Sequence, residues 1–500
     1  MEKKYILAID QGTTTTKVVI FDREGIPVSN VFREIRQIYP NPGWVEHDPR
    51  EYWGTTKDCI SEALKTKQIR PEEIMAIGIT MQRETTILWN KSTGEPYHNA
   101  INWQCRRTIE ICEDLKAQGY ERMVREKTGL VIDPYFSGTK IRWILDNVPG
   151  LRQKAEAGEV CFGTVDTWLL WHLSGGQVHA TDYTNASRTM LFNVKEIKWD
   201  DELLAMLEIP REILPETRPS SGIFGYTSPE LFDGVRIPIA GIAGDQHAAT
   251  FGQTCFKPGM AKNTYGTSLA MVMNIGDQFI LSDHGVTTDL GWGINDHIVY
   301  AFEGVVFVGG AVVQWLRDGL HIIEHARETE KMAQMVPDSG GIYIVPAFTG
   351  LCTPYWDSYA RGTIVGITRG TTREHFARAA LESIAYQTKD VLDAMVADSG
   401  HSLDSLRVDG RAVGNDFLMQ FQADILGVPV QRPVVTDMAA LGAAYMAGLA
   451  VGFWEDTDQL VEQWKVDRTF EPTMPDEKRQ ELYNGWKRAV ERSLGWARKE

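Results

Sequence analysis

Five hundred residues exceed what one hydrophobic core usually supports, so two large domains with a ligand cleft between them are expected. The composition, 43% hydrophobic and 24% charged, is that of an ordinary folded protein, and a formal net charge of −16 excludes general attraction to nucleic acid or to an anionic membrane. An anionic ligand therefore needs local help from backbone amides, a cation or Mg²⁺. The longest apolar stretches, residues 305–313 and 439–453, are too short or too glycine-rich to span a bilayer, so no membrane insertion is expected. The first ten residues run straight into an apolar strand without a signal-peptide pattern, which points to a cytoplasmic protein. Six scattered cysteines with no Cys-x-x-Cys pair read as reduced thiols.

In chain order, residues 5–10 and 17–22 are short β-rich runs separated by Gln11, Gly12 and four threonines, the pattern of a strand, turn and strand. A helix over 50–65, a strand over 76–80, a helix over 139–147 and a strand over 237–242 follow. Halfway along, residues 260–265 and 269–274 repeat the opening arrangement around Gly266, Thr267 and Ser268. Beyond them come a strand over 342–346, a helix over 375–398, a strand over 406–408 and a helix over 416–426. Strands alternating with helices place the chain in the α/β class. Two glycine-threonine hairpins, one opening each half, predict an internal repeat and a boundary near Thr254, giving domains 1–253 and 254–500.

Three segments carry chemistry. Asp10 ends the first apolar strand and is followed by Gly12, by Thr13, Thr14 and Thr15, and by Lys17. A carboxylate that can hold hydrated Mg²⁺ stands beside hydroxyl donors and a cation suited to phosphate. The Walker A spacing is absent, and a merely strand-favouring threonine hairpin reads the same way. The second segment is an apolar strand ending in Gly244 and Asp245 at an apparent helix start; Asp245 is placed either to meet a transferring phosphate or simply to cap the helix. The third, residues 408–417, leads from a strand through glycines into a helix and suits adenine or ribose.

Residues 135–147, 362–367 and 375–382 resemble the two signatures of the FGGY carbohydrate kinase family, and residues 42–49, 82–86 and 103–108 resemble its glycerol-phosphorylating branch. The likeness runs from Ile9 to about residue 445. It implies a two-lobed fold of the sugar kinase, actin and Hsp70 type, ribonuclease H-like, with mixed sheets flanked by helices. It implies ATP and Mg²⁺, with glycerol phosphorylated at a terminal hydroxyl and a homo-oligomer, dimer or tetramer. On matching positions Thr13, Thr14, Thr15, Lys17, Thr267, Gly310, Gln314, Arg411 and Asn415 would meet the nucleotide. Arg83, Glu84, Trp103, Tyr135, Asp245 and Gln246 would hold the polyol, Asp245 would act as catalytic base, and Asp10 with Asp245 would hold the metal. A polyol offers only hydroxyls, so an adjacent guanidinium and carboxylate can fix its orientation.

Three positions depart from the family pattern. Ser268 and Ala270 stand where a glycine and a phenylalanine are usual, which predicts a missing aromatic wall opposite Trp103 and room for a tetritol or another polyol or small keto sugar. Arg411 replaces a glycine at the nucleotide turn, and Lys17 replaces arginine, losing its bidentate fork. A nucleotide-binding protein without transfer activity is the remaining reading; Asp10, Arg83, Glu84 and Asp245 speak against it.

Overall fold

A computed structural model describes residues 3–498. Its central strands are apolar almost without interruption. In β1 (Tyr5–Gln11) Ile6 to Ile9 are all fully buried, and every residue of Pro238–Gly244 is buried too. Such runs, without the alternation of a half-exposed strand, need helices on both faces of the sheet.

The strands of the main sheet are, after β1, β2 (Thr15–Phe21), β3 (Pro27–Glu34), β4 (Ile74–Met81), β5 (Ser221–Tyr226), β6 (Pro238–Gly244), β7 (Ala261–Tyr265), β8 (Leu269–Gly276), β9 (Thr287–Ile294), β10 (His297–Val306), β11 (Leu406–Asp409), β12 (Val430–Pro433) and β13 (Val466–Phe470). Their spatial order is β13-β12-β11-β7-β8-β10-β9-β5-β6-β4-β1-β2-β3. In the first half β1, β2 and β3 are antiparallel neighbours, β4 joins parallel to β1, and β6 joins parallel to β4. The second half repeats this scheme: β7, β8 and β10 are antiparallel, β11 lies parallel to β7, and β12 lies parallel to β11. The predicted repeat of architecture is therefore present in the strand pairing. The halves join through β5, antiparallel to β6 and bridged to β9 at Ser221 and Ile294 alone.

The helices that matter for the site are α1 (Pro49–Thr66), α2 (Ser137–Asn147), α3 (Asp245–Gly252), α4 (Ala311–Asp318), α5 (Arg373–Ser399), α6 (Asp416–Leu426) and α7 (Met438–Ala450). Asp48 caps α1, its side chain accepting from the Arg50 N–H, with Pro49 at the first helical position. Helix α7 is built from alanine, glycine and a few larger apolar residues and lies across β4 and β6 of the first half. The approach is so close that a Cβ at Gly78 would overlap the Ala443 carbonyl, and one at Gly442 would overlap that of Ala248. The strand expected over 342–346 is Tyr343–Val345; it pairs with Thr363–Val365 against α5, outside the main sheet.

Candidate active site

Both hairpins point into one cleft. Between β1 and β2 the turn closes through the Gly12 N–H to the Thr15 carbonyl at 2.9 Å. Thr13 is held from below: Trp103 Nε1–H donates to its hydroxyl at 2.9 Å, and His47 Nε2 donates to its carbonyl at 3.0 Å. Burial pushes the His47 pKa down to about 4, so the ring is neutral at physiological pH. The hairpin between β7 and β8 closes through Gly266 N–H to Ser268 carbonyl at 3.0 Å, and the Gly309, Gly310 and Ala311 amides opening α4 bond back to Gly266 and Thr267.

Two cavities meet there. The first, about 360 Å³, is lined by Thr13, Thr14, Arg83, Glu84, Trp103, Tyr135, Asp245 and Gln246 from the first half. Ser268, Ala270, Val305 and Phe307 line it from the second. Ala270 is small, as the sequence predicts, but the cavity has a further aromatic residue, since Phe307, one residue past β10, also lines it. The second cavity, about 370 Å³, is lined by Gly310, Gln314, Arg411 and Asn415, with Val313, Leu381, Ile384 and Leu418 as apolar walls. Thr267 lines both, so the cavities adjoin at the second hairpin. Thr15, Lys17 and Asp10 line neither.

The floor of the first cavity is a buried ion network joining the two halves of the sheet. Arg83 forms a two-pronged pair with Glu303 of β10, Nη1 donating to Oε2 at 2.9 Å. Arg188 donates from Nε to Glu84 Oε1 at 2.6 Å and from Nη1 to Asp289 of β9 at 2.8 Å, and it lies 2.7 Å from Glu303. All these side chains are buried. Burial works against the charge on Glu303, yet Arg188 and Arg83 hold its carboxyl far below the usual range. Glu84 itself sits in the left-handed region, at φ +60°, a conformation that costs energy in a non-glycine residue and persists only where its surroundings enforce it. Here Ser137 Oγ and Lys140 Nζ, both on α2, donate to its carbonyl at 3.1 and 3.2 Å, and Lys140 also donates to the Tyr135 carbonyl at 2.5 Å. One lysine thus clamps the two loops that carry Glu84 and Tyr135.

Asp245 is the first residue of α3, where the helix dipole favours a carboxylate. Its Oδ1 accepts the Gln246 N–H at 2.8 Å and lies 3.3 Å from Arg83 Nε, while Oδ2 has no protein partner among the described residues. Burial raises its pKa above the ordinary carboxylate value, opposed by Arg83 and Lys262. Asp10 is pushed up to about 6, chiefly by burial, with Lys17 opposing and the charges of Asp245 and Asp437 adding. Lys17 does not pair with Asp10, its neighbour across the strands; its ammonium lies 2.5 Å from Asp437 Oδ1. Two mutually repelling carboxylates, Asp10 lacking a paired side-chain cation, are a donor set that a hard divalent cation fits.

In the second cavity the contacts are sparser. Asn415 caps α6, its Oδ1 accepting the Leu418 N–H at 2.9 Å. Arg411 is exposed and has no ion-pair partner among the described residues.

Sequence reasoning missed Arg188, Asp289, Glu303, Phe307, Lys140 and Lys262. A usable signal existed for two of them: Asp289 and Glu303 are lone acids inside otherwise apolar strands, and a buried acid needs a partner.

A doubled ribonuclease H-like sheet, with a cavity lined by Arg83, Glu84 and Asp245 adjoining a second one at the hairpin that carries Thr267, defines a two-domain sugar kinase fold. The chain belongs to the FGGY family of carbohydrate kinases, whose N-terminal domain model matches residues 5–252 and whose C-terminal domain model matches residues 261–451. Over 496 residues it is 61% identical to glycerol kinase 2 of Thermotoga maritima, covering 99% of this chain and 100% of that one. It is equally 61% identical to a glycerol kinase of Carboxydothermus hydrogenoformans, covering 99% of each. Among solved structures, a glycerol kinase of Plasmodium falciparum with ADP superposes with a TM-score of 0.92 at 36% identity over 99% of both chains.

Proposed function

We propose that this chain phosphorylates glycerol at a terminal hydroxyl with ATP, giving sn-glycerol 3-phosphate and ADP. The observation that carries the reading is the first cavity: a guanidinium and two carboxylates, fixed by buried partners, meet aromatic walls next to a threonine shared with the second cavity. Identity of 61% with glycerol kinases along the whole chain supports the same substrate.

Asp245 takes the proton of the terminal hydroxyl through its uncommitted Oδ2 as that oxygen bonds to the γ-phosphorus and the bond to the bridging oxygen of ADP breaks. Burial raises its pKa above the ordinary carboxylate value, which strengthens it as a base. Arg83 donates to hydroxyl oxygens, Glu84 accepts hydroxyl protons, and Trp103 and Tyr135, edge to face at 5.7 Å, shield the carbon chain. The Thr13 hydroxyl accepts from Trp103, which leaves its own O–H to donate to phosphate, with Thr14, Thr15 and Lys17 beside it; Gly310, Gln314, Arg411 and Asn415 receive the nucleoside end. Asp10 and Asp245 would hold Mg²⁺, which when bound offsets phosphate charge. Fixed donors of this kind, together with positioning, supply most of the acceleration in phosphoryl transfer.

The lobe boundary is placed at Thr254, just after α3, an assignment supported by the gap between the two family-model matches. A cytoplasmic homo-oligomer, dimer or tetramer, belongs to the same reading; light scattering on the purified chain tests the assembly. Among the described residues no helix is long and apolar enough to cross a membrane.

A second reading, a kinase for a longer polyol such as a tetritol, is favoured by Ala270 and Ser268 facing the cavity. One experiment separates the two: ADP release with ATP and Mg²⁺ on glycerol, erythritol, threitol, xylitol, xylulose and dihydroxyacetone. Glycerol should give the highest kcat/KM; a higher value for a tetritol would transfer the assignment, and no release with any of them would end the kinase reading.

A further inference from the structure

Lys262 sits on β7, in the second half of the sheet, and is fully buried. Its ammonium nevertheless reaches the first half. Its three protons are directed at three oxygens: Gln246 Oε1 at 2.5 Å, Thr264 Oγ1 at 2.9 Å and the Ala270 carbonyl at 3.3 Å. Thr264 in turn donates to Asp409 Oδ1 at 2.6 Å, and Asp409 Oδ2 accepts from Gln253 at 3.1 Å, so the cation is anchored on its far side as well.

An ammonium only donates, so the amide atom it holds must be the oxygen of Gln246. The NH₂ group is turned the other way, on a residue that lines the polyol cavity, and it donates to no protein atom among the described residues. A half-turn of the amide would press two donors together and leave a buried cation one acceptor short, which is costly. Gln246 thus has one orientation where an unconstrained glutamine has two.

We propose that Lys262 is a positioning residue for the polyol: by holding the Gln246 carbonyl oxygen it fixes a hydrogen-bond donor in the cavity beside Asp245. The hydroxyl that reacts has one proton to give and lone pairs to receive. With Gln246 locked as donor and Asp245 as acceptor, the two adjacent side chains read the same hydroxyl without competing for its proton. A flipped amide would place two acceptors against one proton.

The proposal rests on the reading of this cavity as the polyol site. It is tested by glycerol-dependent ADP release from the full-length protein, its Lys262→Met, Gln246→Ala and double variants, and Gln246→Glu. Lys262→Met and Gln246→Ala should each raise the glycerol KM about tenfold with the ATP KM within about twofold, and the double variant should be no worse than Gln246→Ala within about twofold. Gln246→Glu keeps an oxygen on Lys262 but replaces the donor by a second, negatively charged acceptor beside Asp245, so it should raise the glycerol KM at least as much as Gln246→Ala does; it tests the need for a donor even if Lys262→Met does not fold. The proposal is overturned if the effect of Lys262→Met persists in full on the Gln246→Ala background, or if Gln246→Ala or Gln246→Glu leaves the glycerol KM unchanged. Failure of the underlying reading looks different: the parent itself then releases no ADP with glycerol. The series is then run with whichever polyol it does use, and a parent that uses none overturns both.

Discussion

The two adjoining cavities are made in opposite ways. In the first cavity three central polar side chains are already committed to buried partners: Arg83 to Glu303, Glu84 to Arg188, Gln246 to Lys262. In the other cavity, glycines and apolar side chains share the walls with three arginines, of which Arg327 and Arg411 stand exposed. The difference follows from the ligands proposed for them. A small polyol carries only a few hydroxyls, so orientation must come from side chains that cannot move, whereas a nucleotide brings its own charge and planar base and needs chiefly shape, backbone amides and access.

Asp245→Asn attacks the first cavity most directly. Turnover should fall about 10²- to 10⁴-fold, with the glycerol KM changed little, as measured by steady-state ADP release; a loss under about threefold would remove Asp245 from the chemistry. Next, Arg188→Met deletes the cation shared by Glu84, Asp289 and Glu303. Breaking a buried ion network by removing one partner should cost about 3–5 kcal/mol in a denaturant titration, and the glycerol KM should rise while the ATP KM holds. Equal damage to both constants would erase the contrast between the cavities.

A smaller effect concerns protons. His47 supports Thr13 and is neutral in the fold, with its pKa lowered from 6.5 to about 4. Between those values the unfolded chain binds the extra proton, so this histidine's contribution is complete above pH 6.5 and is lost as pH falls toward 4. The stability gap between parent and His47→Asn should therefore narrow on acidification, by up to about 1.4 kcal/mol per pH unit, in urea melts from pH 7 to 4.5. A gap that widens would mean the imidazole is charged in the native state. Smallest is Arg411→Ala: the ATP KM should rise about threefold at low salt, less at high salt, as befits an exposed cation, and the glycerol KM should not move. A lower ATP KM would show that Arg411 obstructs the turn.

The same contrast decided how much was legible in the sequence. Asp10 and Asp245 stood out because each ends an apolar run beside a glycine, a local pattern. The helices over 50–65, 139–147, 375–398 and 416–426 match α1, α2, α5 and α6 closely, since their apolar spacing and caps are also local. Arg83 and Glu84, by contrast, carry no local pattern and take their place only through family resemblance. Glu303 lies 220 residues from Arg83, and Asp289 lies 101 from Arg188; no local rule links residues so far apart. Phe307 was missed because position 270 was taken to decide the aromatic wall, while the chain supplies a ring from a different strand end.

Where α7 rests on β4 and α3, main chain meets main chain at Gly78 and Gly442, with no side chain between. The seat of α7 on the first-half sheet is therefore set by peptide geometry and is indifferent to which residues face the ligands. Substrate preference can drift through positions such as 268, 270 and 307 without α7 being re-seated, while a methyl group added at Gly78 or Gly442 would push the helix away from β4 or α3.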